Sequence, residues 1–397
     1  MRLPVLILLA AASPAAAVDL TVESVLAVAR PSAERLAVES FLTAAARELS
    51  LSRGIALEGV ALTAEAGPRR SPQSDGSDFA LGLELPLAGD RAEREAALDL
   101  FAEAEQVLPA AAELEAGLEL RLAYVDAWEA TVGLELAERQ AASAESWLQI
   151  VEMRVAAGAE APYETALVAA EVGLARLALA DARAQKQLAW SELQARATVK
   201  TVPTRLAEPL PATPGLDARE VGDADEPVLA VSTMTRAIEL RSELTQALIL
   251  LDAARRSSRW SFLATAAQEG EEDIARLGVG YRLPFAGQSA ARATARDAAL
   301  AEGRRGGELE RARLEGRMRG AEERAAALAG RPLLSTQEIE DALAALEARV
   351  TTGRDRPSAV LPLRRQLVGA LLTEVAARAA HARAVFQLQA LQAEIAQ

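Results

Sequence analysis

The sequence predicts a mainly α-helical chain with two β-hairpins, built from one helix, hairpin, long helix, turn, helix unit used twice. Three observations predict it. Leu85-Pro86-Leu87-Ala88-Gly89 returns as Leu283-Pro284-Phe285-Ala286-Gly287 with one position changed. The stretch from Arg154 to Pro162 returns from Arg349 to Pro357, sharing Arg, Val, Gly, an acid and Pro in register. Between the paired motifs run 65 and 62 residues rich in Ala, Leu, Glu and Arg. At 1.5 Å per residue each such helix is roughly 95 Å long, so the helices must lie against one another as a bundle or tube.

Composition bounds the class. The chain has 397 residues, 51% hydrophobic but only 3% aromatic, and no cysteine. Few aromatics and much alanine point to helices that approach closely. Arg2, the apolar run 3–12 and Ala15-Ala16-Ala17 read as a secretory signal over 1–17. No other stretch reaches the roughly 20 apolar residues of a membrane-spanning helix. The absence of cysteine excludes disulfides and a lipid-bearing cysteine. A net charge of -14 disfavours nucleic acid.

The first repeat is expected over 18–197. A helix over 18–52 carries Val25, Val28, Leu36, Leu42 and Leu49 at helical spacing. The period then changes to two, giving a hairpin over about 55–87 whose polar loop is 67–76. A long helix over about 90–157 keeps a 4-3 seam through Leu118, Leu122, Val125, Val132 and Leu136. Pro109 is expected to kink or break it, and Gly306-Gly307 stands at the equivalent place in the second copy. After a turn at Gly158, a helix over 163–197 is expected to turn Leu167, Leu174 and Leu177 inward.

Residues 198–227, rich in Pro, Gly and Asp, read as the linker. The second repeat, 228–397, is expected to hold helices over about 233–257, 288–352 and 358–397 and a hairpin over about 260–285. Leu277, Val279, Tyr281 and Leu283 share one face of its second strand, and Gly278, Gly280 and Arg282 the other. The long helix is expected to break at Gly330-Arg331-Pro332 and restart at Ser335 or Thr336. The last helix carries Val360, Leu363, Leu367 and Leu371. Four strands cannot close a barrel, and an open sheet edge is forbidden in lipid. If the hairpins enter a membrane, copies must pool them, and three chains supply twelve strands.

In this order and duplication the chain resembles the TolC-like outer-membrane efflux proteins. The resemblance spans essentially the whole mature chain. It rests on the two Leu-Pro-x-Ala-Gly hairpin ends and the two Arg-Val-x-x-Gly turns. Arg241-Ser242-Glu243-Leu244, similar to the family's Arg/Asn-Pro-Glu-Leu signature, adds to it. The runs 85–94 and 154–164 are similar to those of the cobalt–zinc–cadmium resistance branch, with Asp90 and Ala88 departing from its lysine and glycine. The resemblance implies a homotrimer with a 12-stranded barrel in the outer membrane and an α-helical periplasmic tunnel. It implies a passive conduit, for divalent heavy-metal cations in that branch, fed by a periplasmic adaptor and an inner-membrane pump of the RND type. Multidrug efflux or type I secretion is the alternative within the class, and a soluble periplasmic coiled-coil scaffold the alternative outside it.

The resemblance maps the adaptor-docking tip onto the two turns, through Arg154, Gly158, Glu160, Arg349, Gly353 and Asp355. It makes Glu164 a candidate entrance acid. Threefold repetition would crowd carboxylates at a mouth, which attracts cations or shares protons. The plainer reading is a first-turn Glu favoured by the helix dipole. Arg354-Asp355-Arg356 reads as an adaptor contact, as a pair across protomers or as a solvated turn. His381 is the only histidine, too few for a metal cage without cysteine. No nucleophile elbow, phosphate-binding glycine loop or paired His/acid motif appears, so neither an enzyme nor a bound cofactor is expected.

Overall fold

Ala, Leu, Glu and Arg favour helix because they lose little rotamer freedom there. The computed structural model describes residues 20–51, 61–71, 74–86, 91–198, 206–209, 232–256, 260–269, 272–281, 286–329 and 336–391. In chain order these form α1 (Val22–Leu26), α2 (Ala33–Leu51), β1 (Ala61–Ser71), β2 (Ser74–Pro86), α3 (Arg91–Ala156) and α4 (Pro162–Arg196). They continue as α5 (Thr233–Arg256), β3 (Trp260–Glu269), β4 (Glu272–Tyr281), α6 (Ala286–Ala329), α7 (Thr336–Thr351) and α8 (Pro357–Leu391). The signal 1–17, the hairpin residues 55–60 and most of the linker 198–227 lie outside the described residues. The chain divides into two units. One comprises Met1–Ser32, Glu115–Asp225 and Met318–Ala390; the other comprises Ala33–Leu114, Glu226–Arg317 and Leu391–Gln397.

In the second of these units α2, α3 and α5 share an apolar seam. Ala45, Ala104, Val107, Leu108, Ala237, Leu240 and Leu244 form one buried cluster, and Leu49, Ala97, Ala247 and Leu251 another. Pro109 does not break α3, which continues through it. Val107 and Leu108, buried in the seam, hold the helix where the proline removes a backbone donor. Gly306-Gly307 does not break α6 either. Its physical role is close approach: a Cβ on Gly307 would lie 3.0 Å from Ser242 Oγ and 3.1 Å from its Cβ. Ser242 in turn donates to Gly303 O at 3.3 Å. Gly307→Val is therefore expected to destabilise by about 1–3 kcal/mol through overpacking, measurable by chemical denaturation.

Charge supplements this seam. Arg236 donates to both oxygens of Glu103, at 2.7 and 2.8 Å. That hydrogen bond holds the Glu103 carboxyl below its usual range, against the opposing effect of burial. A lowered carboxyl pKa contributes stability above the unfolded-state value and loses it as pH falls through the folded-state value. Both side chains are partly exposed, so the pair is worth at most about 1 kcal/mol. Glu103→Gln is expected to melt slightly below wild type at neutral pH, and the gap to close on acidification below the carboxylate range.

The four strands form one antiparallel sheet in the order β1-β2-β3-β4. The polar stretch 67–76 is not simply a loop: β1 and β2 pair through it as far as Ser71 and Ser74. Ladder bonds are backbone bonds and do not require apolar side chains. Pro68 is tolerated because β1 is an edge strand. The register sorts the sheet into two faces. Leu62 faces Leu83, Leu81 faces Ala266, Ala264 faces Leu277 and Phe262 faces Val279, so these apolar residues share one side. Leu62, Leu81, Leu277 and Val279 are 69%, 43%, 75% and 63% exposed there. Gly82, Ser261, Thr265, Arg276, Gly278 and Gly280 share the other side, together with the apolar Ala80, Leu263, Ala267 and Ile274.

In the unit containing the first residues, the expected single helix over 18–52 is interrupted. α1 ends at Leu26 and α2 begins at Ala33, because Pro31 lacks a backbone donor and restricts Arg30 before it. The intervening chain pairs with the end of α4 instead: Arg30 N donates to Arg196 O and Thr198 N to Val28 O, both at 2.9 Å. Part of the linker also folds on. Leu206 bridges Leu20 in parallel, and the buried Tyr124 hydroxyl lies 2.6 Å from Leu20 O and 2.7 Å from Ala207 O.

The return helices contain a second correction. Leu167, Leu174 and Leu177 are not inward; they are 39%, 55% and 61% exposed. α4 packs through Glu164, Val168, Glu171, Val172 and Ala175 instead. On α8 the seam passes through Val360, Arg364 and Leu371, and Leu363 is 47% exposed. Leucine spacing identified a helical face on α4, but the one left uncovered within a single chain.

Candidate functional site

The two turns meet at one end of a helical bundle. Each is built the same way. Gly158 and Gly353 both have φ of 73°, a left-handed conformation that side chains resist. Ala159 N donates to Arg154 O and Gly158 N to Val155 O; Arg354 N donates to Arg349 O and Gly353 N to Val350 O. These paired bonds satisfy the last carbonyls of α3 and α7. Pro162 and Pro357 then open α4 and α8, where a missing N–H does no harm. The Arg-Val-x-x-Gly…Pro spacing is thus the chemistry of stopping one helix and starting the next.

The arginines that open the motifs do different work. Arg349 stays within its own turn, with Nε 2.6 Å from Asp355 Oδ2. Arg154 crosses to the other copy. Its Nη2 donates to Val350 O at 2.6 Å and Thr351 O at 3.3 Å, the last carbonyls of α7, and its Nη1 lies 3.8 Å from Glu160. It passes so close that a Cβ on Gly353 would sit 2.9 Å from Nη2.

Glu164 makes the reciprocal contact. It is fully buried, and its carboxylate accepts from Ser358 N at 3.1 Å and Ser358 Oγ at 2.7 Å. The first copy therefore supplies a cation to the negative end of α7 and an anion to the positive end of α8. Within this chain Glu164 caps α8, and the dipole it serves is that of α8 as well as its own helix. Glu164→Ala is expected to destabilise by about 1–3 kcal/mol by leaving the half-buried N–H and hydroxyl of Ser358 without their partner. Glu164→Gln should recover part of that loss, and hydrogen exchange at Ser358 reports it locally.

Behind the turns lies a cluster of Trp147, Val151, Val168, Leu346, Val350, Val360 and Leu361. A buried charge group follows it. Arg364 is 4% exposed, with its guanidinium 5.1 Å from the centre of the Trp147 ring. It donates to Gln140 O at 3.2 Å and lies 3.5 Å from Glu171 Oε1. Its Nε has no hydrogen-bond partner among the described residues. Arg365 holds the other oxygen of Glu171 at 2.5 and 2.9 Å. Burial lowers the Arg364 pKa, partly opposed by Glu171 and Glu347. Sequence reading missed this group; its only signal was an arginine on the seam between Val360 and Leu367.

Of the residues expected at a docking tip, Arg154, Glu160 and Asp355 are engaged in holding the turns, and their side chains are only 18%, 12% and 25% exposed. The large exposed apolar residues at this end are Met153 and Tyr163. His381 is half-buried, and burial lowers its pKa. Among the described residues no group of His, Cys, Asp or Glu is placed to hold a metal ion, and no helix is long and apolar enough to cross a membrane.

No family model and no curated protein matches the sequence. Solved structures do match. The Campylobacter jejuni CmeC outer membrane channel aligns with a TM-score of 0.68 at 15% identity, over 94% of this chain and 85% of that one. The outer membrane protein VceC of Vibrio cholerae aligns at 0.67 and 16% identity, over 94% and 96%. CusC, whose structures concern transmembrane channel formation, aligns at 0.62 and 13% identity, over 95% and 93%. At such identities it is the fold that is shared: the chain has the mainly helical fold of TolC-like outer-membrane channels, with no one branch singled out.

Proposed function

We propose that this protein is the outer-membrane channel of a tripartite exporter, a passive conduit rather than an enzyme. The observation that carries the reading is the four-stranded sheet, with one exposed apolar face, one smaller and more polar face, and two edges unpaired among the described residues. Such a sheet suits lipid on one side and water on the other only when further strands complete it. Three copies pool twelve strands, and the uncovered leucines of α4 offer each copy an apolar face to meet its neighbour. The residues 18–197 and 228–397 act as two repeats of one building unit, secreted behind the signal 1–17. The helices project into the periplasm, and their turns meet an adaptor bound to an inner-membrane pump, of RND type in the branch resembled.

Native mass measurement and planar-bilayer conductance of the purified protein test the channel. A trimer with stable conductance is expected; a non-conducting monomer would overturn the reading. Divalent heavy-metal cations are the proposed cargo, on the likeness of 85–94 and 154–164 to the metal-resistance branch. The cargo would cross without a resident cage. Deleting the gene is expected to sensitise cells to zinc, cobalt, cadmium or copper. Sensitisation to drugs alone would replace metals with a multidrug cargo.

A further inference from the structure

Charge is distributed unevenly at the end where the two turns meet. Three of the acids there are turned inward or engaged, Glu164 on Ser358, Glu160 beside Arg154 and Asp355 on Arg349, and Glu152 next to Met153 is exposed. Arg354 and Arg356, in contrast, are exposed and form no ion pair among the described residues. Around them the surface is small or apolar. Ala156, Ala157, Ala159, Thr351 and Thr352 are exposed, and Met153 and Tyr163 are 65% and 59% exposed. A chain with a net charge of -14 thus presents two unpaired cations on a low, partly apolar end.

From this surface we infer that the docking partner meets it with an acidic helical turn: carboxylates opposite Arg354 and Arg356, beside a small apolar residue seated near Met153 and Tyr163. The inference rests on the reading of these turns as the docking end of an exporter, and adds the partner's chemistry. Two observations favour a compact acidic turn over a polyanion or an anionic membrane. The positive patch is only two residues wide, and the chain's overall negative charge repels an extended anionic surface. Alanines flank Gly158 on one turn and two threonines precede Gly353 on the other, so there is little relief beside the arginines and another backbone turn can approach closely. Complementary charge would govern encounter and register, with the apolar contacts supplying burial.

The test uses the detergent-solubilised full chain and two synthetic antiparallel helical hairpins, identical except for Glu-Ala-Glu or Lys-Ala-Lys in the turn. The acidic hairpin is expected to bind, weakening about tenfold from about 50 to about 300 mM NaCl. Arg354→Glu with Arg356→Glu is expected to lose it by at least about tenfold and to gain the lysine hairpin. Arg313→Glu with Arg324→Glu, the same charge change at exposed arginines away from the turns, should leave binding unchanged. Equal binding of both hairpins, or equal effects of the two double variants, would overturn the inference. So would titration of Arg354 and Arg356 by phosphatidylglycerol vesicles in place of the acidic hairpin. Complementing a deletion strain separates the two levels. A deletion without any export phenotype sinks the conduit reading, while the hairpin titration still decides the surface. A sensitised deletion fully restored by the Arg354→Glu, Arg356→Glu protein sinks the surface and leaves the conduit standing.

Discussion

Glu171→Leu is expected to destabilise the bundle behind the turns by about 3–5 kcal/mol, whereas Arg364→Met should be neutral or stabilising. The two residues face each other, so the difference lies in what each deletion leaves behind. Without Glu171, the Arg364 guanidinium remains almost fully buried, with one backbone carbonyl, the Trp147 face and no counter-charge in direct contact. An uncompensated buried charge is among the largest single-site penalties. Without Arg364, Glu171 keeps Arg365 on its other oxygen, and the desolvated guanidinium with its unpartnered Nε is gone. Methionine is long and flexible enough to fill the space. Chemical denaturation of both variants and the double variant checks this. Equal losses for the two single variants would mean that the pair contributes symmetrically and that burial of Arg364 carries no penalty.

Trp147→Ala should destabilise by about 3–5 kcal/mol, the range for large aromatic residues in cores. Trp147 is 1% exposed and packs in the cluster directly behind the turns. Its loss opens a cavity there and also removes the ring over which Arg364 sits. The effect should therefore exceed that of deleting one apolar neighbour, and should shrink in an Arg364→Met background. Additivity of Trp147→Ala and Arg364→Met in a double-mutant cycle would show that ring and guanidinium do not interact.

Much of the fold was legible because it depends on local chemistry repeated along the chain. Ala/Leu/Glu/Arg tracts specify helix, period-two tracts specify strand, and Gly followed by Pro at fixed spacing specifies the two turns. Those signals need no knowledge of neighbours. The errors on the return helices share one cause. Leu167, Leu174, Leu177 and Leu363 look like core by hydrophobicity, yet they are exposed, and Glu171 and Arg364 occupy seams instead. On a helix with two faces, composition does not say which face is covered within the chain. Gly307 was read as a weak point in a helix when it is a place of close approach to Ser242.

The sequence by itself determined the duplicated order of elements, the hairpins and the turns, since periodicity and turn residues act over a few neighbouring positions. Only the tertiary structure decided what each charged residue does. It assigned Arg154 to the end of α7, Glu164 to the start of α8 and Arg364 to the interior, and it left Arg354 and Arg356 in solvent. The physical reason is reach: apart from the local Arg154–Glu160 and Arg349–Asp355 pairs, the partners at this end lie nearly 200 residues away or more, and only packing of the two copies brings them within hydrogen-bonding distance.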